Sequence, residues 1–241
     1  MRTPILVSAL CVLILAAPAS SRAADPAVAT RIGPVSLSLP SPDGFTEPSV
    51  LVPQLRQIGE TMTPPTNRLL ALFVSDGDVK LAVSGKEPEL TRYFMVQTLR
   101  KTEANVVTTN EFLRLRNLLR GQYQELLSRV APRVQGHLDS AARSIGKDSG
   151  IPDLSLRVGE LRAVEIFDDR STSISLLALT KYTVQVAGKV EEVPITMGST
   201  TAIVKGKLVY FYAYSRYRSS ADLDWIRSQT KMWLPRLTGG N

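Results

Sequence analysis

Residues 205–237, KGKLVYFYAYSRYRSSADLDWIRSQTKMWLPRL, set two different hydropathy patterns side by side. The run 208–214 (LVYFYAY) is apolar on both faces, which predicts a central strand covered from each side. Tyr210, Tyr212 and Tyr214 share one face of that strand; Val209, Phe211 and Ala213 share the other. Ser219 and Ser220 then offer an N-terminal cap, with Asp222 and Asp224 in the first turn. Leu223, Ile226, Thr230, Trp233 and Leu237 line one side of a closing helix over about 220–237.

Upstream, the period is that of strands. Runs at 156–167, 172–186, 190–196 and 200–204 are separated by Asp168-Asp169, Ala187-Gly188-Lys189 and Met197-Gly198-Ser199. Lys205-Gly206-Lys207 then joins the last of them to 208–214. Joints this short predict antiparallel neighbours in a meander. Before them lies the strongest helical pattern of the chain. Phe112, Leu115, Leu119, Tyr123, Leu126, Val130, Val134, Leu138, Ala141 and Ile145 recur every three or four residues. Thr108 and Glu111 make a capping-box start, and Gly146 is a natural stop. A straight helix over 109–146 would run about 55 Å, and Pro132 should kink or divide it near Ala131. Two helical segments are therefore expected.

Residues 24–66 read as an irregular, proline-rich segment packing on the domain, with a half-buried strand at 35–39 (VSLSL), a turn at Pro42-Asp43-Gly44 and a short helix over 50–61. A single α+β domain over 67–241 follows. It opens with strands at 69–75 and 79–83, joined as a hairpin by Asp76-Gly77-Asp78, and another at 93–99. The fold class expected is α+β: an antiparallel sheet sandwich flanked by a long kinked helix and a C-terminal helix.

The N-terminus has the layout of a secretory signal. Arg2 precedes the uncharged apolar run 5–17 (ILVSALCVLILAA), and small residues follow. Thirteen residues fall short of the roughly 18–20 that span a bilayer, so a cleaved signal over 1–23 is expected rather than an anchor. Ala17-Pro18-Ala19 and Ser21-Arg22-Ala23 both fit the cleavage rule, and Ala23 is preferred for the polar start it leaves. Cys11 lies inside the apolar run behind the bulky Leu10, which argues against lipidation. Cutting after Ala23 removes Cys11, the only cysteine, together with Arg2 and Arg22, and lowers the formal charge from +7 to +5. The expected setting is periplasmic or secreted, in a bacterial envelope.

Chemistry is sparse. Without a thiol there is no cysteine nucleophile, and one histidine makes a zinc site untenable. His137 falls within the apolar stripe, where a half-buried, hydrogen-bonded histidine is expected. Asp76/Asp78 and Asp168/Asp169 are carboxylate pairs at turns, where aspartate serves the backbone. The sequence lacks a Gly-x-Ser-x-Gly elbow, a P-loop and a dinucleotide fingerprint. No catalytic residue, metal site or cofactor is assigned. The helical stretch carries Arg114, Arg116, Arg120, Arg129, Arg133, Arg143 and Lys147 against Glu111, Glu125 and Asp139. Arg114, Arg129 and Arg143 fall opposite the stripe, a face for an anionic envelope component or an envelope protein. The row Tyr210, Tyr212, Tyr214 suits a groove for sugars or peptide. Nucleic acid lacks a motif here.

The early strand ending in Leu39-Pro40 to Gly44-Phe45, the broad sheet, the inserted helix and the final strand feeding a helix together resemble the Mog1/PsbP-like group. The segment 205–237 is similar to the tail of uncharacterised exported bacterial proteins. The long helical stretch is an addition to the compact members. The resemblance implies a largely non-enzymatic class of binding and assembly proteins, with no functional residues to carry over. The function expected is an exported binding or accessory protein; the alternative is a carboxylate-dependent hydrolase of envelope material.

Overall fold

The computed structural model describes residues 27–151 and 153–239. The expected signal segment 1–23, with Cys11 and both expected cleavage sites, lies outside them. In chain order the elements are β1 (Ala27–Ile32), β2 (Val35–Pro40), β3 (Phe45–Thr46), α1 (Pro53–Thr61), β4 (Asn67–Ser75), α2 (Asp76–Val83), β5 (Arg92–Leu99) and α3 (Thr109–Ser149). After these come β6 (Ser155–Val158), β7 (Arg162–Asp169), β8 (Ser173–Val186), β9 (Lys189–Val204), β10 (Lys207–Arg216) and α4 (Ser220–Gly239).

Eight strands form one sheet in the order β3-β4-β5-β10-β9-β8-β6, with β7 also on β8. Every pairing is antiparallel. The fold is α+β, and β10 is central as its two-sided apolar pattern requires. One face packs under α4 and the separate β1–β2 hairpin. There Phe73, Phe94 and Phe211 meet Ile226, Trp233 and Leu237, with Ile32, Leu37 and Leu39 closing the end. Trp233 reaches across to donate its Nε1–H to the Pro40 carbonyl at 2.8 Å. On the other face α1 and α2 cover β4 through Leu55, Leu69, Leu72, Val74 and Val79.

Several expectations change. The hairpin over 69–83 is a strand followed by a helix. Ser75 caps α2 by accepting the Asp78 N–H, and Asp76 and Asp78 place negative charge in the first turn. Residues 27–66 are more regular than expected, since β1 pairs with β2 along its length. The joint Met197-Gly198-Ser199 is no turn, because β9 runs straight through it. Gly198 is there for close approach: a Cβ would lie 2.6 Å from Ile226 Cγ2 of α4. The strand expected over 156–167 is two, β6 and β7, set end to end along β8.

The 41-residue helical run is two segments meeting at a kink, as expected, though the kink is not near Ala131. Its capping box at Thr108 and Glu111 forms as expected, and Gly150 ends it in the left-handed region. The irregularity falls at Gln122 (φ −130°, ψ 20°), beside Gly121, and Pro132 does not divide the helix. Pro132 and Ser128 are both exposed, so water can satisfy the carbonyl that proline leaves without a donor. Length is accommodated because the sheet is itself long: β8 has 14 residues and β9 has 16, about 45–55 Å of strand.

α3 covers the outer edge of the sheet with two glutamines. Gln124 Nε2 donates to the Leu161 carbonyl at 3.1 Å, and its Oε1 accepts from the Ala163 N–H at 2.7 Å. Gln135 repeats the pattern on Leu156 (3.0 Å) and Val158 (2.8 Å). Each amide thus replaces a missing neighbour strand on β7 or β6, the protection an edge strand needs.

Candidate functional site: a tyrosine cleft beside the long helix

Strand alternation puts Tyr210, Tyr212 and Tyr214 on the sheet face opposite α4, and cross-strand pairing adds to them. Tyr214 lies opposite Tyr93 of β5, and Tyr212 opposite Met95. On the other side Tyr212 faces Ser199, and Tyr214 faces Met197. The Tyr93 and Tyr214 rings stack at 4.7 Å between centroids and 18° between planes. Tyr212 continues the stack on Tyr214 at 6.1 Å and 28°. Tyr182 of β8 shares this face, four residues beyond Ala178, which pairs with Met197. Tyr123 of α3 comes within electrostatic reach of Tyr212, as Tyr182 does of Tyr214. Five of the chain's seven tyrosines thus share the sheet face opposite α4, and Tyr123 approaches them from α3.

Their hydroxyls are the unusual feature. Buried tyrosine ordinarily finds a hydrogen-bond partner. Among the described residues none of these six hydroxyls has one, and that of Tyr123 is fully enclosed. Burial pushes all six phenols above the usual tyrosine value, most strongly Tyr214, where Tyr93, Tyr182 and Tyr212 add to the effect. Neighbouring phenols add to the effect of burial at Tyr93 and Tyr212 as well. The side chains are half-buried, and Tyr93, Tyr212 and Tyr214 pack against the core cluster of Leu55, Leu69, Leu72 and Met95.

The arginines lie elsewhere. Arg114, Arg129 and Arg143 are exposed on α3, spread over about 44 Å of helix. Arg129 is paired with Glu125, and Arg143 donates to Ser140 at 3.1 Å. They form neither a cluster nor a wall of the cleft. Arg116 and Arg120 are anchored on Asp169 at the end of β7. The tyrosine row and the basic face are therefore two surfaces. Sequence reasoning missed Tyr93, Tyr123 and Tyr182 as site residues: Tyr93 and Tyr182 lie in expected strands and Tyr123 in the apolar stripe of the expected helix, but no local pattern brings them together.

The carboxylates are structural in their contacts. Asp78 is buried and accepts from Ser75 Oγ (2.7 Å) and the N–H groups of Glu89 (2.9 Å) and Leu90 (3.4 Å). Asp76 accepts from Thr46 Oγ1 at 2.7 Å, and Asp168 pairs with Arg170 at 2.9 Å. The two aspartate pairs sit on opposite flanks of the sheet, at β4 and β7. His137 is half-buried as expected, but its buried Nε2 lacks the expected hydrogen bond. No cluster of three metal-ligating side chains occurs among the described residues. Nor is any helix among them long and apolar enough to cross a membrane.

No protein-family model matches the chain, and no curated protein matches it in sequence. Among solved structures it is similar to cyanobacterial PsbP (CyanoP) from Synechocystis, at 12% identity over 88% of this chain and 94% of that one, with a TM-score of 0.34. It is similar also to the Ran-binding protein Mog1p of Saccharomyces cerevisiae, at 10% identity over 89% and 93% of the two chains, with a TM-score of 0.31. A single-residue variant of Mog1 gives 10% identity over 88% and 93%, with a TM-score of 0.32. These are the names that the order of elements resembles, but TM-scores this low leave the likeness without weight for function. The α+β assignment stands on the strand pairings and helices themselves.

Proposed function

We propose that the protein is an exported binding or accessory protein of the bacterial envelope, periplasmic or secreted, whose ligand seats in the tyrosine cleft. The single observation that carries this reading is the tyrosine row on the sheet face opposite α4, with Tyr93, Tyr214 and Tyr212 stacked along it and the enclosed Tyr123 hydroxyl left without a partner. An enclosed hydroxyl left without a partner costs about 1–3 kcal/mol, and Tyr123 carries that cost. Export is supported by the three-part N-terminal layout, and the absence of a nucleophile or metal motif in the sequence favours binding over catalysis. Arg114, Arg129 and Arg143 enter as a second docking face for an anionic envelope component.

A pull-down from envelope extract with the 24–241 protein tests the reading, washed to about 0.5 M salt, where screening leaves a range of roughly 4 Å. The wild type should retain a component that the Tyr212→Phe/Tyr214→Phe variant loses. Equal capture by both proteins removes the cleft from the account. Reversing Arg114, Arg129 and Arg143 to glutamate should weaken capture at low salt only; loss persisting at high salt would move the binding surface to α3. For export, N-terminal sequencing of protein released from the periplasm should begin at Ala24, whereas an intact N-terminus retained in the cytosol contradicts it.

A further inference from the structure

One end of the sheet gathers positive charge from four separate stretches of chain. Asn67 of β4 lies opposite Leu99 of β5, and β10 starts at the same end with Lys207, opposite Val204 of β9. Backbone bonds tie the connecting segments together: Arg100 N–H donates to the Thr66 carbonyl at 3.0 Å, and Val107 N–H to the Gly206 carbonyl at 2.8 Å. The β1–β2 hairpin joins them through two basic side chains. Arg68 Nη2 donates to the Arg31 carbonyl at 2.6 Å, and Lys205 Nζ to the Ser36 carbonyl at 3.2 Å. Segments 31–36, 64–68, 99–107 and 203–208 therefore meet. They bring Arg31, Arg68, Arg100, Lys101, Lys205 and Lys207 together, with Glu103 as their one carboxylate.

Two of these cations hold the end in shape. Arg68 grips Glu103 by two bonds, at 2.8 and 2.9 Å. Lys207 is buried and donates to the Glu103 and Asn105 carbonyls at 2.8 and 2.7 Å. Carbonyls satisfy its donors but bring no counter-charge. Arg31, Arg100, Lys101 and Lys205 are exposed. Carboxylates of the flanking elements are committed elsewhere: Glu60 to Arg56, Glu111 to the α3 capping box, Asp168 to Arg170, and Asp169 to Arg116 and Arg120. The positive excess therefore faces solvent.

Composition selects the partner. Protein interfaces draw register from charges of both signs and energy from aromatic anchors, and these four segments contain no aromatic residue. Val106 instead stands 69% exposed among the cations, over the Lys205-Gly206-Lys207 turn. Cations of one sign around an apolar tip suit a uniformly anionic surface with hydrocarbon beneath its headgroups.

We propose that this end of the molecule docks on an anionic phospholipid surface, with Arg31, Arg100, Lys101 and Lys205 at the phosphates and Val106 at the acyl boundary. The proposal goes beyond the tyrosine-row reading, and either can fail alone. Co-sedimentation of the 24–241 protein with mixed phosphatidylglycerol and phosphatidylcholine vesicles tests it. Partitioning should fall at least about ten-fold between roughly 0.05 and 0.5 M salt, as screening shortens, and pure phosphatidylcholine should not bind. Each basic residue at such a surface contributes about five-fold. Arg31→Gln/Lys101→Gln/Lys205→Gln should then lose about 100-fold. Arg31 and Lys101 make none of the bonds above through their side chains, so Arg31→Gln/Lys101→Gln spares the fold and should still lose about 30-fold. In Val106→Trp, indole emission should move to the blue on the mixed vesicles.

Equal binding to pure phosphatidylcholine overturns the proposal, as does wild-type partitioning by both glutamine variants. So does a greater loss on reversing Arg114, Arg129 and Arg143 to glutamate, or unmoved emission from vesicle-bound Val106→Trp. Binding to soluble polyglutamate without binding to the mixed vesicles also overturns it, and assigns this end to an acidic protein.

Discussion

Asp78 shows how a single carboxylate can organise a corner of the fold. It faces Ser75, which caps α2, and it collects the N–H groups of Glu89 and Leu90. Leu90 is held at a positive φ of 49°, which a leucine adopts only under constraint. Asp78→Ala should therefore destabilise by about 2–4 kcal/mol, since bonds to a buried charge are the strong ones. Asp76→Ala, at an exposed bond to Thr46, should cost under about 1 kcal/mol; urea unfolding of both variants checks the contrast. The motif Ser75-x-x-Asp78 was legible as a cap, yet Asp-Gly-Asp also spells a turn, and burial decides between the two. The phenols make the second residue-scale prediction. Their folded values lie above the unfolded tyrosine value of about 10, so the folded state holds its protons more tightly. That stability is fully present below pH about 10 and is lost as pH rises toward the folded values. Thermal unfolding from pH 8 to 11 should show the melting temperature falling above pH about 10, and less steeply in Tyr93→Phe/Tyr214→Phe.

At the scale of elements, α3 is the part the sequence described best and placed worst. Its stripe, its capping box and its extent are local patterns and could be read directly. Its continuity past Pro132 could not, because it depends on the length of β8 and β9 beneath it and on an exposed proline. Its task is to close the β6–β7 edge, and the glutamines doing so look like ordinary solvent-facing polar residues in one dimension. Replacing Gln124 and Gln135 together with alanine should strand four backbone groups and cost about 2–4 kcal/mol. The freed edge should also make the protein concentration-dependent in size. Light scattering against concentration checks this, and a monodisperse double variant of wild-type stability would show that the amides do not guard the edge. Gly198 belongs to this scale as well. It reads as a turn residue but serves the contact of β9 with α4, so Gly198→Val should destabilise by about 3 kcal/mol or more through overpacking, measured by thermal melting.

For the whole molecule, the sheet divides the chain's aromatic residues by chemistry. Both tryptophans and all the phenylalanines but Phe112 of α3 pack on the α4 face, and the tyrosine row takes the other. Half of that division was legible, because strand alternation alone sorts Tyr210, Tyr212 and Tyr214 from Phe211. The other half required strand order and register. Tyr93 reaches Tyr214 across 121 residues of chain and Tyr182 comes from a strand two places away, and no local pattern encodes such a meeting. The basic face failed for the complementary reason: helical phase placed its arginines in solvent, but the rise of the helix spreads them too widely to act as one site.

The most direct test of the central claim is a nuclear magnetic resonance titration of the 24–241 protein carrying 13C-labelled tyrosine rings, with the component captured from envelope extract. Tyr217 lies outside the cleft and is an internal control. The account predicts that the signals of Tyr93, Tyr123, Tyr182, Tyr210, Tyr212 and Tyr214 shift on binding while that of Tyr217 stays. Movement of Tyr217 alone, or of no tyrosine under saturating ligand, would contradict it.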